Sequence, residues 1–173
     1  MSLINGYIRT EYKLNQTRMN ASRYLPLNFQ ENVDTSSLLN TWWLVGFTDA
    51  DGCLYIQIVA DKTRRDRIRI QLKFSLKDRI ILDQLASIFG SIVYTRKHKN
   101  GFITYYWSSS TTNNAYKVYA YFHTFSFQSK KWLEFLYWRK ALRIVEAKQH
   151  RTAVGLAQIE SYKAKMTELK SLK

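Results

Sequence analysis

Two carboxylates are the first residues whose type and spacing suggest chemistry. Asp49 and Asp51 stand either side of Ala50 at the foot of an apolar run, Trp43-Leu44-Val45-Gly46-Phe47-Thr48-Asp49-Ala50-Asp51-Gly52. The run reads as a helix, and Gly52 reads as its C-terminal stop. A carboxylate at a helix C-terminus faces the negative end of the macrodipole, and the last carbonyls add to that negative potential. A divalent cation relieves both. Mg²⁺ is held by one or two carboxylates with waters and substrate phosphates. Phosphodiester hydrolysis uses such an ion to activate water and neutralise the transition state. The same aspartates also read as turn residues that bond their own backbone. An EF-hand loop is excluded, because no acid follows between Cys53 and Ala60. Cys53 is the only cysteine, so an intrachain disulfide and a Cys-rich zinc site are excluded too. His98, His123 and His150 form no metal-ligand cluster.

The acids sit in a basic protein. The 173 residues carry 27 Lys and Arg against 13 Asp and Glu, a formal charge of +14. The first 52 residues are nearly neutral, and the excess lies beyond them. Such a field favours a polyanionic partner, against the plainer reading of a solvated surface. No apolar run approaches the ~18 residues that span a bilayer, and no basic amphipathic helix stands out early, so no membrane partner is expected. The N-terminal stretch lacks a secretory apolar region and carries Arg9, Lys13, Arg18 and Arg23, a weak transit-peptide signal.

The elements that must position the acids follow from periodicity. Residues 1–37 are polar and weakly periodic and read as an extension; 38–173 read as one domain. Asp34, Thr35 or Ser36 can cap the helix that carries Asp49 and Asp51. Gly46 inside that helix costs about 1 kcal/mol in propensity, which suggests a close backbone contact there. The period then changes to two. Leu54, Ile56 and Ile58 alternate with Tyr55, Gln57 and Val59, and Ile68, Ile70, Leu72 and Phe74 alternate with Arg67, Arg69, Gln71 and Lys73. This predicts a hairpin with one buried and one basic face. A helix follows, ending at Gly90, then a second hairpin around Lys99-Asn100-Gly101. Helices from Thr111, through Ser129–Lys148 and after Thr152 complete the chain. The order is αββαββα with further helix, an α+β domain with helices on one side of an antiparallel sheet. For Trp42, Trp132, Phe135 and Trp138, core packing is the expected role.

A Gly-containing helix ending in Asp-Ala-Asp-Gly, a basic hairpin directly after it and the αββαββα order together resemble the LAGLIDADG homing endonucleases. Leu44, Gly46, Asp49, Ala50, Asp51 and Gly52 match the family's name-sequence. The likeness extends over about residues 38–167. It implies a site-specific endonuclease that hydrolyses both strands of DNA with Mg²⁺, leaving short 3′ overhangs, with Mn²⁺ or Ca²⁺ substituting for binding. It implies that Asp51 binds the metal, helped by the Ala50 carbonyl, and that a lysine at the later helix start, Lys131 ahead of Lys130, sits by the attacking water. Leu44, Val45, Gly46 and Asp49 would lie at a dimer seam. Many members carry a glutamine where the second strand leaves the sheet. Here Ser75, Lys77 or Arg79 would fill that space.

One motif supplies one metal acid where the family site needs two. The resemblance therefore implies a homodimer with two-fold symmetry and a nearly palindromic target. The alternatives are half of a longer protein or a partner chain with the second motif. From the alternation, Arg67, Arg69, Gln71 and Lys73 face the DNA groove with Tyr55 and Gln57. Tyr94, Arg96 and His98 are the preferred set on the second hairpin. Arg on guanine and Gln on adenine each give about 1–3 kcal/mol of discrimination. Two other readings stand beside the nuclease: a maturase that binds intron RNA with little cleavage, and a DNA-binding regulator. The resemblance implies an organelle, the mitochondrion ahead of the chloroplast.

Overall fold

The computed structural model describes residues 38–59 and 67–171. The expected extension at 1–37, its cap candidates Asp34, Thr35 and Ser36, and the charged turn at 62–66 lie outside the described residues. A 3₁₀ turn, Leu38–Asn40, leads into helix α1, Trp43–Asp51. Strands β1, Cys53–Val59, and β2, Arg67–Leu76, follow. Helix α2 spans Ile80–Phe89, β3 Tyr94–Lys97 and β4 Ile103–Ser108. Helices α3, Thr112–Thr124, α4, Lys131–Glu146, and α5, Ala153–Ser171, close the domain. The sheet is antiparallel throughout, in the order β1-β2-β4-β3. The expected α+β class and element order are what the chain adopts. No described helix is long and apolar enough to cross a membrane.

Period-two alternation becomes two faces. Leu54, Ile56, Ile70, Leu72, Phe74 and Trp107 turn to the helices and are buried. Against them pack Leu44 and Val45 of α1, Leu82, Leu85 and Phe89 of α2, and Phe135 and Trp138 of α4. Each such side chain contributes about 1.5–3 kcal/mol on burial. Trp43 stacks on Phe47 at 4.8 Å and Phe47 on Phe74 at 4.9 Å, so aromatic rings tie α1 to the sheet. The Trp138 indole N–H donates to the Gln71 carbonyl at 3.1 Å. Trp138 and Phe135 are core, as expected. Trp42 is not: it is 53% exposed, with a T-shaped contact to Phe125 at 5.5 Å.

Helix ends show which signals were local. Thr111 accepts the Asn114 N–H at 3.1 Å and caps α3; Thr152 accepts the Gly155 N–H at 3.1 Å and caps α5. Helix α1 starts later than its apolar pattern, because the chain turns at Thr41, whose hydroxyl accepts the Trp43 N–H. Strand β3 is also shorter than its pattern: Gly90 and Ser91 both have positive φ, 83° and 86°, and redirect the chain before Tyr94. At Gly155 a Cβ would lie 2.1 Å from the Gln149 carbonyl oxygen, where the 3₁₀ turn Gln149–Arg151 abuts α5. Gly155→Ala is therefore expected to destabilise by about 1–3 kcal/mol, read as a lower urea midpoint at unchanged m-value.

Candidate metal centre and nucleic-acid interface

Helix α1 delivers its two aspartates into different surroundings. Asp49 is half-buried and tied: the Ser129 hydroxyl donates to its Oδ1 at 2.5 Å. Asp51 is exposed and has no hydrogen bond or ion pair among the described residues. Gly52 follows in extended backbone, φ −81° and ψ 146°, so glycine is not needed there for a left-handed turn. It is needed for space, since a Cβ would lie 2.6 Å from the Thr48 methyl and 2.9 Å from its carbonyl oxygen.

Beneath the bend lies Lys131, in the first turn of α4. Its ammonium donates to the carbonyls of Thr48 at 2.5 Å, Gly52 at 2.7 Å and Asp49 at 3.2 Å. An ammonium has three N–H bonds, and all three are engaged. Lys131 thus neutralises the negative end of α1 from within. Burial pushes its pKa down, with Glu134 and then Asp49 pulling the other way. Asp51 is not among its partners. Lys130 occupies the exposed N-cap position of α4. With Lys131 on three carbonyls, Asp51 and the Ala50 carbonyl stand outside its hold.

These residues fit a hard cation as far as one chain can supply it. An exposed carboxylate with no partner among the described residues, beside an exposed Ala50, is the sparse protein contribution that Mg²⁺ accepts, the rest coming from water and phosphate. No group of three or more His, Cys, Asp or Glu forms a self-contained metal cage among the described residues.

From Asp51 a groove of about 960 Å³ runs over the solvent face of the sheet. The register places Tyr55 opposite Gln71, Gln57 opposite Arg69, Cys53 opposite Lys73 and Tyr94 opposite Tyr106. Gln57, Arg69, Gln71, Lys73, Tyr94 and Arg96 all line it. Gln71 is the tightest, at 6% exposure. The Lys73 ammonium sits 4.0 Å above the Tyr55 ring, and burial lowers its pKa. Arg96 lies over Tyr106 at 5.4 Å, and Tyr94 stacks on the same ring at 5.0 Å. Just past β3, the His98 Nε2 pairs with the Thr104 hydroxyl at 2.9 Å. Arg67 opens β2 opposite Val59, and its side chain lies outside the described residues. Of the three residues expected near the missing glutamine, Ser75 lines the groove with Asp51. Lys77 is exposed, and Arg79 is committed to Asp83, donating to both carboxylate oxygens at 3.0 Å.

The expected dimer seam divides. Leu44 and Val45 are 0% and 5% exposed and fill the chain's own core, because the helix turns them toward the sheet. The outward face of α1 carries Trp42, Gly46 and Ala50 instead, with Asp49 at its margin. Apart from its chain neighbours and its own helix backbone, no atom of the described residues comes within 4 Å of where a Gly46 Cβ would stand, so the close contact expected at Gly46 is not made among the described residues. Ser129 was missed in the sequence, although a serine just before a helix is a recognisable capping signal.

The chain is an α+β domain with a basic antiparallel sheet beside a helix-borne acid whose side chain has no partner among the described residues. The sequence profile of the LAGLIDADG endonucleases matches residues 44–142, more than half of the chain, and the protein belongs to that family. An uncharacterised 37.2 kDa protein of cox1 intron 2 in Schizosaccharomyces pombe is 32% identical, matching 92% of this chain and 50% of its own length. The intron-encoded DNA endonuclease aI3 of Saccharomyces cerevisiae is 26% identical, over 84% of this chain and 45% of its own. The chain thus spans about half the length of these relatives. Among solved structures, the homing endonuclease I-SmaMI bound to cleaved DNA superposes with a TM-score of 0.62 at 25% identity, over 71% of this chain and 42% of that one. The homing endonuclease I-TnaI shares the fold at a TM-score of 0.63 and 24% identity, over 75% of this chain and 92% of that one.

Proposed function

We propose that this chain is one half-site of a homing endonuclease that cuts both strands of DNA at a long, nearly palindromic site. The observation that carries this reading is Asp51: a carboxylate with no partner among the described residues, at the head of a groove lined by Arg69, Lys73 and Arg96. In a strongly basic protein, a naked acid at the point where a phosphate would pass is explained by a cation shared with the substrate. Asp51 and the Ala50 carbonyl would hold that ion, Mg²⁺ on this reading. When bound, it supplies charge neutralisation at the scissile phosphate and a more acidic water. The chain's own residues do the rest. Lys131 holds the α1 terminus, Ser129 fixes Asp49, and Arg69, Lys73 and Arg96 bring cations to the backbone or to guanine. Gln57, Gln71 and Tyr94 line the groove with them, while Tyr55 and His98 are not among its lining residues.

A second acid completes the centre on this reading. It comes from a second copy packed through Trp42, Gly46 and Ala50, or from a second motif on another chain. The open space over Gly46 supports close approach of another helix backbone. Relatives from cox1 and ND4 introns support a mitochondrial setting. The structure of I-SmaMI bound to uncleaved DNA in the presence of calcium ions supports Ca²⁺ as a condition for binding assays here.

Digestion of a randomised plasmid library with purified protein in Mg²⁺, followed by end sequencing, tests cleavage and symmetry together. Symmetric cut sites support the homodimer; no cut at any site sinks the nuclease reading. A maturase reading is favoured by one observation, the lack of a glutamine where β2 ends, with Ser75, Lys77 or Arg79 left to fill the space. Splicing of an intron without cleavage of any site would establish it. DNA binding should weaken with salt at a slope of about −0.9 per neutralised phosphate. Replacing Arg69 and Lys73 together by alanine should flatten that slope by about 2 in a fluorescence-anisotropy titration.

A further inference from the structure

The cluster under the α1–β1 bend contains a contact that the nuclease reading does not use. Lys170, in the last turn of α5, reaches across more than a hundred positions of sequence to the first residues of β1. Its ammonium donates to the Leu54 carbonyl at 2.8 Å and to the Cys53 sulfur at 3.5 Å. It also lies 3.5 Å from the Glu134 carboxylate, which is buried on α4. Lys131 is on the same helix as Glu134, one turn earlier, and holds the carbonyls of Thr48, Asp49 and Gly52. The bend that presents Asp51 is therefore gripped on both sides: Lys131 takes the carbonyls before and just after it, and Lys170 takes that of Leu54, two residues further on.

We propose that Lys170 and Glu134 are positioning residues for Asp51, so that the far end of α5 forms part of the metal centre. The proposal rests on Asp51 being the metal acid. Three considerations make the bend need such a grip. Its glycine cannot be exchanged without striking Thr48. Among the described residues, the Asp51 side chain has no bond of its own to fix it. A metal acid must also be held to a fraction of an ångström to work. Glu134 orients Lys170 by the ion pair. Lys170 fixes the start of β1 and with it the direction in which residue 51 leaves α1.

The test uses the full chain and two readouts. The first is amide hydrogen exchange at residues 50–54. The second is the Mg²⁺ concentration at half-maximal cleavage of a target plasmid. Lys170→Met is expected to speed exchange at 52–54 by tenfold or more while β2 and β4 keep their protection. It should also raise the Mg²⁺ midpoint by about tenfold with DNA affinity in Ca²⁺ unchanged. Lys170→Arg should restore both in part. Should Lys170→Met fail to fold, Glu134→Gln, which keeps the shape and removes the ion pair, is read in the same way. Unchanged exchange at 52–54 overturns the proposal. So does an unmoved Mg²⁺ midpoint in an active enzyme, or a uniform loss of protection across the domain. If the wild type cuts nothing, the nuclease reading fails by itself, and local exchange alone then decides the positioning role.

Discussion

Asp51→Asn is expected to keep DNA affinity in Ca²⁺ and to lose cleavage in Mg²⁺ by about 10³-fold or more. Binding to DNA is dominated by cations on phosphates, and the groove cations Arg69, Lys73 and Arg96 are untouched by this change. Removing one negative charge from the groove head does not weaken that attraction. Cleavage depends on an ion that stabilises the transition state by several kcal/mol, and each tenfold in rate corresponds to about 1.4 kcal/mol. Asp49→Asn should behave differently. Its carboxylate bonds Ser129 and faces the chain's own structure. The expected loss there is about 1 kcal/mol of stability, with cleavage lowered only severalfold. A gel-shift assay in Ca²⁺ beside plasmid nicking in Mg²⁺ separates the two aspartates. Equal loss of cleavage in both variants would refute the assignment of the metal to Asp51.

Lys131→Met carries the second large effect, and it falls on stability first. The methionine keeps much of the packing volume but leaves the carbonyls of Thr48, Asp49 and Gly52 without their common donor. Unsatisfied, part-buried carbonyls cost about 1–3 kcal/mol each. Partial access to water reduces the sum, and a net loss of about 2 kcal/mol is expected. That lowers Tm by about 4–8 °C in a domain of this size. The pH dependence has a definite sign. Burial lowers the folded-state pKa of Lys131 below the ordinary 10.5, so the unfolded chain binds this proton more tightly. The burial penalty is present in full below the folded pKa and relieved as pH rises through it toward 10.5, so this group's contribution to stability rises across that window. The methionine variant lacks that rise. Its deficit relative to the wild type should therefore widen on the alkaline side, which denaturant melts at stepped pH would show.

The parts of this molecule that sequence reveals are those governed by near neighbours. Alternation in Ile68–Phe74 fixes which side of β2 is core, and Thr111 and Thr152 announce helix starts a few residues ahead. Asp51 is legible because its motif is contiguous. What was hidden depends on contacts across long stretches of chain. The order β1-β2-β4-β3 puts the later strand of the second hairpin inside and Tyr94–Lys97 at the edge, which no local pattern states. Ser129 meets Asp49, and Lys131 meets Thr48, from about eighty positions away. The α1 pattern is apolar on almost every side, so it could not say that Val45 turns inward while Trp42 and Gly46 turn out. Only packing against Phe74 and the sheet settles that choice.

Strand β3 has a consequence for how such a protein can change. It is four residues long, every one of them exposed, and it forms an open sheet edge. Open edges recruit other strands, and short length with positive charge is how natural sheets discourage this. Arg96 and Lys97 therefore guard against self-association at the same place where the groove would read its target. On the proposed nuclease reading, a lineage drifting toward a new DNA sequence by exchanging Arg96 for valine or isoleucine would gain an altered groove and a stickier edge together. Retargeting is thus constrained by solubility on this strand more than on β2, whose two edges are already paired with β1 and β4.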